Sequence, residues 1–155
     1  MMHSFLGMEV WKNADGISLG QGKYAVDILK KFRMMDCKAM TTPMTSNLKL
    51  LSDASSKKVD DMMYRQMICS LMHLMNTRPD IFFAVNTLSQ FLIDPRHVHW
   101  IPAKHILRYL RGTVDYGLKY DMNQKINLKC YVDSEWAVPS IGRTLQSVAS
   151  VWDQV

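Results

Sequence analysis

Ala103-Lys104-His105-Ile106-Leu107-Arg108-Tyr109-Leu110-Arg111-Gly112, followed by Ile126-Asn127-Leu128-Lys129-Cys130-Tyr131-Val132-Asp133, decides the fold class. In the first segment Ala103, Ile106, Leu107 and Leu110 recur at helical spacing; the second alternates with period two. The chain therefore holds helix and strand side by side. Pro102 suits the first turn of the helix and Gly112 its end. Lys104, Arg108 and Arg111 fall at i, i+4 and i+7 on the face opposite the apolar stripe. From Pro95 to Val114 there is no acid, while Arg96 and three histidines add to the basic character.

Reading outward toward the N-terminus, Ser4 to Val10 is expected as a strand. Asn13-Ala14-Asp15-Gly16 is its turn and Ile17-Ser18-Leu19 the return strand. Gly22 opens a helix with Ala25, Ile28, Leu29 and Phe32 on one face, and Lys30, Lys31 and Arg33 crowd its last turn. Residues Met40 to Lys58, rich in Thr, Ser and Lys, read as an exposed connector. A second helix runs from about Asp60 to Asn76 with Tyr64, Met67, Ile68, Leu71 and Met75 inward. A third starts at Pro79, carries Ile81, Val85, Leu88 and Leu92 on one side, and ends at Asp94-Pro95. Tyr116 to Tyr120 and Ile126 to Asp133 are expected to form a closing hairpin. The fold class is α+β: an N-terminal β-hairpin, a helical middle and a C-terminal hairpin.

At 155 residues, of which 48% are apolar, the chain makes one ordinary domain or two small lobes with a buried core. A net charge of +5 mildly favours a polyanionic partner. Cys37, Cys69 and Cys130 are odd in number and far apart, which argues against a disulfide framework and for a reducing, intracellular compartment. His97, His99 and His105 have no cysteine or carboxylate at ligand spacing, so zinc is not indicated. No apolar run reaches the length of a membrane span, and no basic region precedes an apolar stretch at the start, so neither membrane nor secretory signal is expected. Thirteen methionines read as core filler.

Phe5-Leu6-Gly7-Met8-Glu9-Val10, Gln21-Gly22-Lys23-Tyr24-Ala25, Thr42-Pro43-Met44, Tyr64-Arg65-Gln66, Ser70-Leu71-Met72, Thr77-Arg78-Pro79-Asp80-Ile81, Leu107-Arg108-Tyr109-Leu110-Arg111-Gly112-Thr113 and Tyr131-Val132-Asp133-Ser134-Glu135-Trp136-Ala137 resemble, in this order, segments of copia-type LTR retrotransposon Pol polyproteins. The resemblance covers nearly the whole chain. It implies the end of a reverse transcriptase, with thumb and connection, over residues 1–113, and the first strands of an RNase H domain over 114–155. The parent activities are RNA-directed DNA polymerase and RNA–DNA hybrid ribonuclease, with Mg2+ as the parent enzyme's metal.

The resemblance implies that Phe5, Leu6, Gly7, Met8 and Glu9 belong to a primer-grip-like hairpin; without it they read as a plain two-stranded ribbon. The helices from Tyr24 to Leu92 resemble the thumb, where exposed Lys23, Lys30, Lys31 and Arg33 either touch phosphate or form a solvated face. Lys104, Arg108 and Arg111 are the nucleic-acid-binding candidates: cations one turn apart track phosphates without reading sequence. Their alternative is again a solvated face. The implied partners are an RNA–DNA or DNA duplex and the remainder of the polyprotein.

Polymerisation and RNase H cleavage both need carboxylates that hold two metal ions. Val59-Asp60-Asp61-Met62 is not a polymerase turn, because it leads directly into a helical pattern; one of the two aspartates is an N-cap instead. Asp133 matches the family's first RNase H carboxylate, a vestigial catalytic and metal residue that needs acids supplied from elsewhere; otherwise it is an exposed strand-end acid. Glu135 shares its strand face. No cofactor is expected for this chain alone. Departures from the family occur at Cys69, where Gly is usual, at His73, where Tyr is usual, and over 138–148, where Arg143 and Ser147 persist. The expectation is a truncated, non-catalytic piece of a polyprotein that binds a duplex weakly, with a non-catalytic interaction module or an unstable product of a degenerate copy as the alternative.

Overall fold

The computed structural model describes residues 2–5, 7–45, 50 and 56–122. Residues 1–122 form one compact unit. The expected strand Ile126–Asp133, with Asp133, Glu135 and the departures over 138–148, lies outside the described residues.

Among the described residues the architecture is α+β, with a four-stranded antiparallel sheet in the order β1-β2-β3-β4 and four α-helices. The strands are β1 (Met2–Phe5), β2 (Met8–Asn13), β3 (Gly16–Gly20) and β4 (Gly117–Asp121). The expected strand Ser4–Val10 is broken. Phe5 pairs with Met8 across a two-residue turn, and Gly7 takes φ +76°, a left-handed conformation that glycine adopts without a Cβ clash. The N-terminus is thus a three-stranded meander rather than one hairpin. β4 adds to it: Gly117 pairs with Gly20 and Asp121 with Gly16. The strand read as opening a C-terminal hairpin is therefore hydrogen-bonded to the N-terminal sheet. Its backbone lies so close to β3 that a Cβ on Gly117 would collide with the Leu19 carbonyl.

The helices are α1 (Gly22–Lys31), α2 (Asp61–Leu74), α3 (Phe82–Ser89, preceded by a 3-10 turn Pro79–Ile81) and α4 (His97–Gly112). They bury most of the expected stripes: Ala25, Ile28 and Leu29 from α1, with Phe32 half-buried beyond it; Tyr64, Met67, Ile68 and Leu71 from α2; Val85 and Leu88 from α3; Ala103, Ile106, Leu107 and Leu110 from α4. Leu74 takes the inward place expected of Met75, which is half-buried, and Ala84 is buried beside Val85. The Tyr64 hydroxyl, deep in this core, donates to the Leu88 carbonyl at 2.9 Å, and burial raises its pKa. Asp60 is the N-cap of α2, accepting the Met63 N–H at 3.0 Å, as a capping aspartate should.

Two boundaries differ from expectation. α3 ends at Ser89, leaving Leu92 half-buried beyond it. α4 starts at His97, so Pro102 lies inside it rather than at its start. The early turn is held by tertiary partners. The His97 N–H donates to the Lys57 carbonyl at 2.9 Å. His99, fully buried, accepts the Arg96 N–H on Nδ1 at 3.0 Å, and its Nε2–H donates to the Leu50 carbonyl at 3.0 Å. Its ring stacks on Phe91 at 3.9 Å. The connector is accordingly not wholly exposed, since Leu50 is buried and Lys58 bridges Arg96.

Candidate nucleic-acid interface

The cations of α4 have different surroundings. Lys104 is exposed, with Nζ 5.3 Å from the centre of the Trp100 ring. Arg108 is half-buried and donates from Nε to the Lys38 carbonyl at 2.8 Å. Arg111 donates from Nε to the Met35 carbonyl at 2.6 Å. Both arginines pin the segment after α1 onto α4, a job that helical spacing does not reveal. Each keeps further guanidinium N–H groups.

Lys104 instead faces the end of α1. Together with Lys31, Arg33, Phe32, Gln66 and Trp100 it lines a cleft of about 460 Å³ between α1, α2 and α4. Lys31 Nζ stands 5.6 Å from the centre of the Phe32 ring. The expected thumb-like cations Lys31 and Arg33 and the α4 cation Lys104, 73 positions apart from Lys31 (104 − 31), thus share one surface. Lys23 and Lys30 line a different, shallower depression with Glu9, Asp27 and Asp115.

The residues expected to form a primer-grip-like hairpin divide. Phe5 ends β1, Leu6 lies outside the described residues, and Gly7 makes the turn. Met8 begins β2. Glu9 is buried and its Oε1 accepts the Lys23 N–H at 3.1 Å, setting a carboxylate on the positive end of α1. Nearby, the Thr77 hydroxyl donates to Gln21 Oε1 at 2.9 Å, and Gln21 Nε2 donates to His73 Nδ1 at 3.1 Å.

The segments Thr77–Ile81 and Leu107–Thr113, quoted above for their resemblance, meet in one polar lock. Arg78, 2% exposed, donates from Nε and Nη2 to the two Asp80 oxygens at 2.9 and 2.7 Å. Its Nη1 reaches the Thr113 carbonyl at 2.8 Å. The guanidinium also lies 5.7 and 5.5 Å from the ring centres of Tyr109 and Tyr116. Burial pushes the Asp80 carboxyl upward, but hydrogen bonds from Arg78 and Tyr109 and the charge of Arg78 outweigh it and hold the group below its ordinary value. Burial, then the Asp80 hydrogen bond, raises the Tyr109 hydroxyl.

Among the described residues no three His, Cys, Asp or Glu side chains converge as a metal site, and no helix is long and apolar enough to cross a membrane. Cys37 and Cys69 are free thiols. His105 donates from Nε2 to the Thr42 carbonyl at 2.9 Å.

The chain is 38% identical over 136 residues to the retrovirus-related Pol polyprotein of transposon RE2 and 40% identical over 136 residues to that of transposon RE1, both from Arabidopsis thaliana. Each match takes in 88% of this chain and 9% of the relative. The Pol polyprotein of transposon TNT 1-94 from Nicotiana tabacum is 36% identical over 141 residues, 85% of this chain and 10% of the relative. No family model and no solved structure matches. The chain belongs to the retrovirus-related Pol polyproteins of copia-type transposons. It spans about a tenth of the length of these relatives.

Proposed function

We propose that this chain is a nucleic-acid-gripping segment of a copia-type Pol polyprotein and has no active site of its own. On this reading it corresponds to the thumb and connection of a reverse transcriptase, running into the first strand of RNase H at Asp133. Polymerase and hybrid-cleaving chemistry, with Mg2+, then belong to the whole polyprotein. The observation that carries the reading is the acid-free helix α4, whose apolar face closes the core while Lys104 and Arg111 remain exposed. Phosphate contacts of this kind give sequence-independent, salt-sensitive binding. The N-cap role of Asp60 supports the non-catalytic part, because it removes the pair that resembles a polymerase turn.

The test is fluorescence anisotropy of a labelled RNA–DNA hybrid with the full chain at two salt concentrations, with circular dichroism beside it. Binding that weakens as salt rises is the expected result. No binding by the folded protein overturns the duplex-gripping role; primer extension or hybrid cleavage above a mock preparation overturns the non-catalytic one.

A second reading, an interaction module without nucleic acid, is favoured by Phe82 and Phe83, adjacent at the start of α3 and 51% and 75% exposed. Salt-independent self-association in sedimentation, without hybrid binding, would favour it.

A further inference from the structure

The cleft between α1, α2 and α4 brings three cations together. Lys31 and Arg33 come from the end of α1 and Lys104 from α4; among the described residues no Asp or Glu lines the cleft. Among the described residues, the carboxylate partners belong to Lys58, Arg78 and Arg96, not to these three. The rings of Trp100 and Phe32 flank two of the ammonium groups and leave their charge intact.

The backbone of Arg33 adds an independent observation. The Arg33 N–H bonds to the Lys30 carbonyl at 3.1 Å, and the Met34 N–H to the Leu29 carbonyl at 2.8 Å. This is a Schellman ending, and Arg33 occupies its left-handed position with φ +55°. Glycine fills that position best. A long cationic side chain held there, at the rim of a basic cleft, points to a job for the guanidinium.

We propose that the cleft takes the phosphodiester backbone of a nucleic-acid strand, with Arg33 offering its planar fork and Lys31 and Lys104 acting as point charges. This deepens the duplex-gripping reading and rests on it, but it moves the contact surface. The outer face of α4 is secondary, because Arg108 and Arg111 already spend Nε on the carbonyls of Lys38 and Met35.

The experiment measures RNA–DNA hybrid affinity over a salt series for the full chain and three variants: Arg33→Gly, Lys31→Ala/Lys104→Ala, and Arg108→Ala/Arg111→Ala. The slope of log affinity against log salt should shrink by about one for each cleft cation removed. Arg33→Gly should weaken binding while raising the thermal midpoint, a pairing that a merely structural arginine would not give. Arg108→Ala/Arg111→Ala should shrink the slope by less than Lys31→Ala/Lys104→Ala does, because both arginines already spend Nε on backbone carbonyls. If the cleft variants bind like wild type while the Arg108/Arg111 variant loses the slope, the cleft proposal falls and the duplex reading stands. If wild type binds no hybrid, both fall. Displacement of the hybrid by inorganic phosphate or a free nucleoside monophosphate at low millimolar concentration would make the cleft a site for small anions and overturn the strand assignment.

Discussion

The Tyr109 hydroxyl donates to Oδ2 of Asp80 at 2.8 Å, and the same oxygen receives Arg78 Nη2 at 2.7 Å. Asp80 belongs to the turn before α3 and Tyr109 to the last turns of α4. The pair therefore fastens two helices where the buried Arg78 side chain enters the core. Thr113 completes the set, since its carbonyl and Oγ1 both accept from Arg78. Two sequence segments that look like scattered family signatures are thus one structural lock.

Arg78→Lys keeps the charge but loses the fork that binds both Asp80 oxygens and Thr113. An amine cannot replace those bonds, and the change leaves polar groups underused at a buried site. We expect a loss of about 2–3 kcal/mol in urea unfolding. Tyr109→Phe removes one hydrogen bond to a charged acceptor and should cost about 1–2 kcal/mol. Wild-type stability in the Arg78→Lys protein would show that the fork is dispensable.

Asp80 also sets an acid limb. Its folded pKa lies below the ordinary value of 3.8, because the Arg78 and Tyr109 bonds overcome the upward push of burial. A depressed carboxyl contributes stability that is fully present above the unfolded value and is lost as pH falls through the folded one. Stability should therefore drop below about pH 4. Asp80→Asn should be less stable at neutral pH and show a flatter decline from pH 5 to pH 2. An acid limb of unchanged steepness in that variant would assign the titration to other carboxyls.

Gly117→Ala tests the join between β4 and the meander. The added Cβ collides with the Leu19 carbonyl, so the strands must part or slip. We expect loss of about 2–4 kcal/mol, in the range of overpacked and strained sites. In hydrogen exchange, protection should fall first at the amides of Gly117–Asp121. Protection in α2 should persist longer, because its core packing does not depend on β4. Uniform loss across both elements would mean that the sheet and helices unfold as one unit.

What the residues disclosed in advance was local. The apolar faces of α1 and α2 follow from 3.6-residue spacing, and the capping aspartate from its place before Met62 and Met63. What they concealed was long-range. Nothing within Tyr116–Tyr120 tells that its partner lies a hundred residues earlier. Pro102 looked like a helix start because the anchors of the preceding turn, at Lys57 and Leu50, are distant in sequence. Gly7 was a usable turn signal set among residues that read equally well as one strand. On α4, the exposure of Lys104 is legible from spacing. Its company with Lys31 and Arg33 was not, because helical periodicity orders residues around one axis and says nothing about neighbouring axes.

Glu9 separates scaffold from ligand contact beside the β1–β2 turn. Its buried carboxylate accepts the Lys23 N–H at the start of α1, where the helix carries unpaired donors and partial positive charge. Glu9→Ala empties that position and should destabilise the chain by about 1–2 kcal/mol. Glu9→Gln keeps an acceptor without the charge and should recover about half of the loss. Hybrid binding per folded molecule should be unchanged in both, since a carboxylate directed at a backbone amide offers nothing to phosphate. The check is chemical unfolding paired with anisotropy under conditions where each variant is more than nine-tenths folded, taken from its own unfolding curve. Weaker binding by a folded Glu9→Gln protein would place the residue at the nucleic acid rather than beneath it.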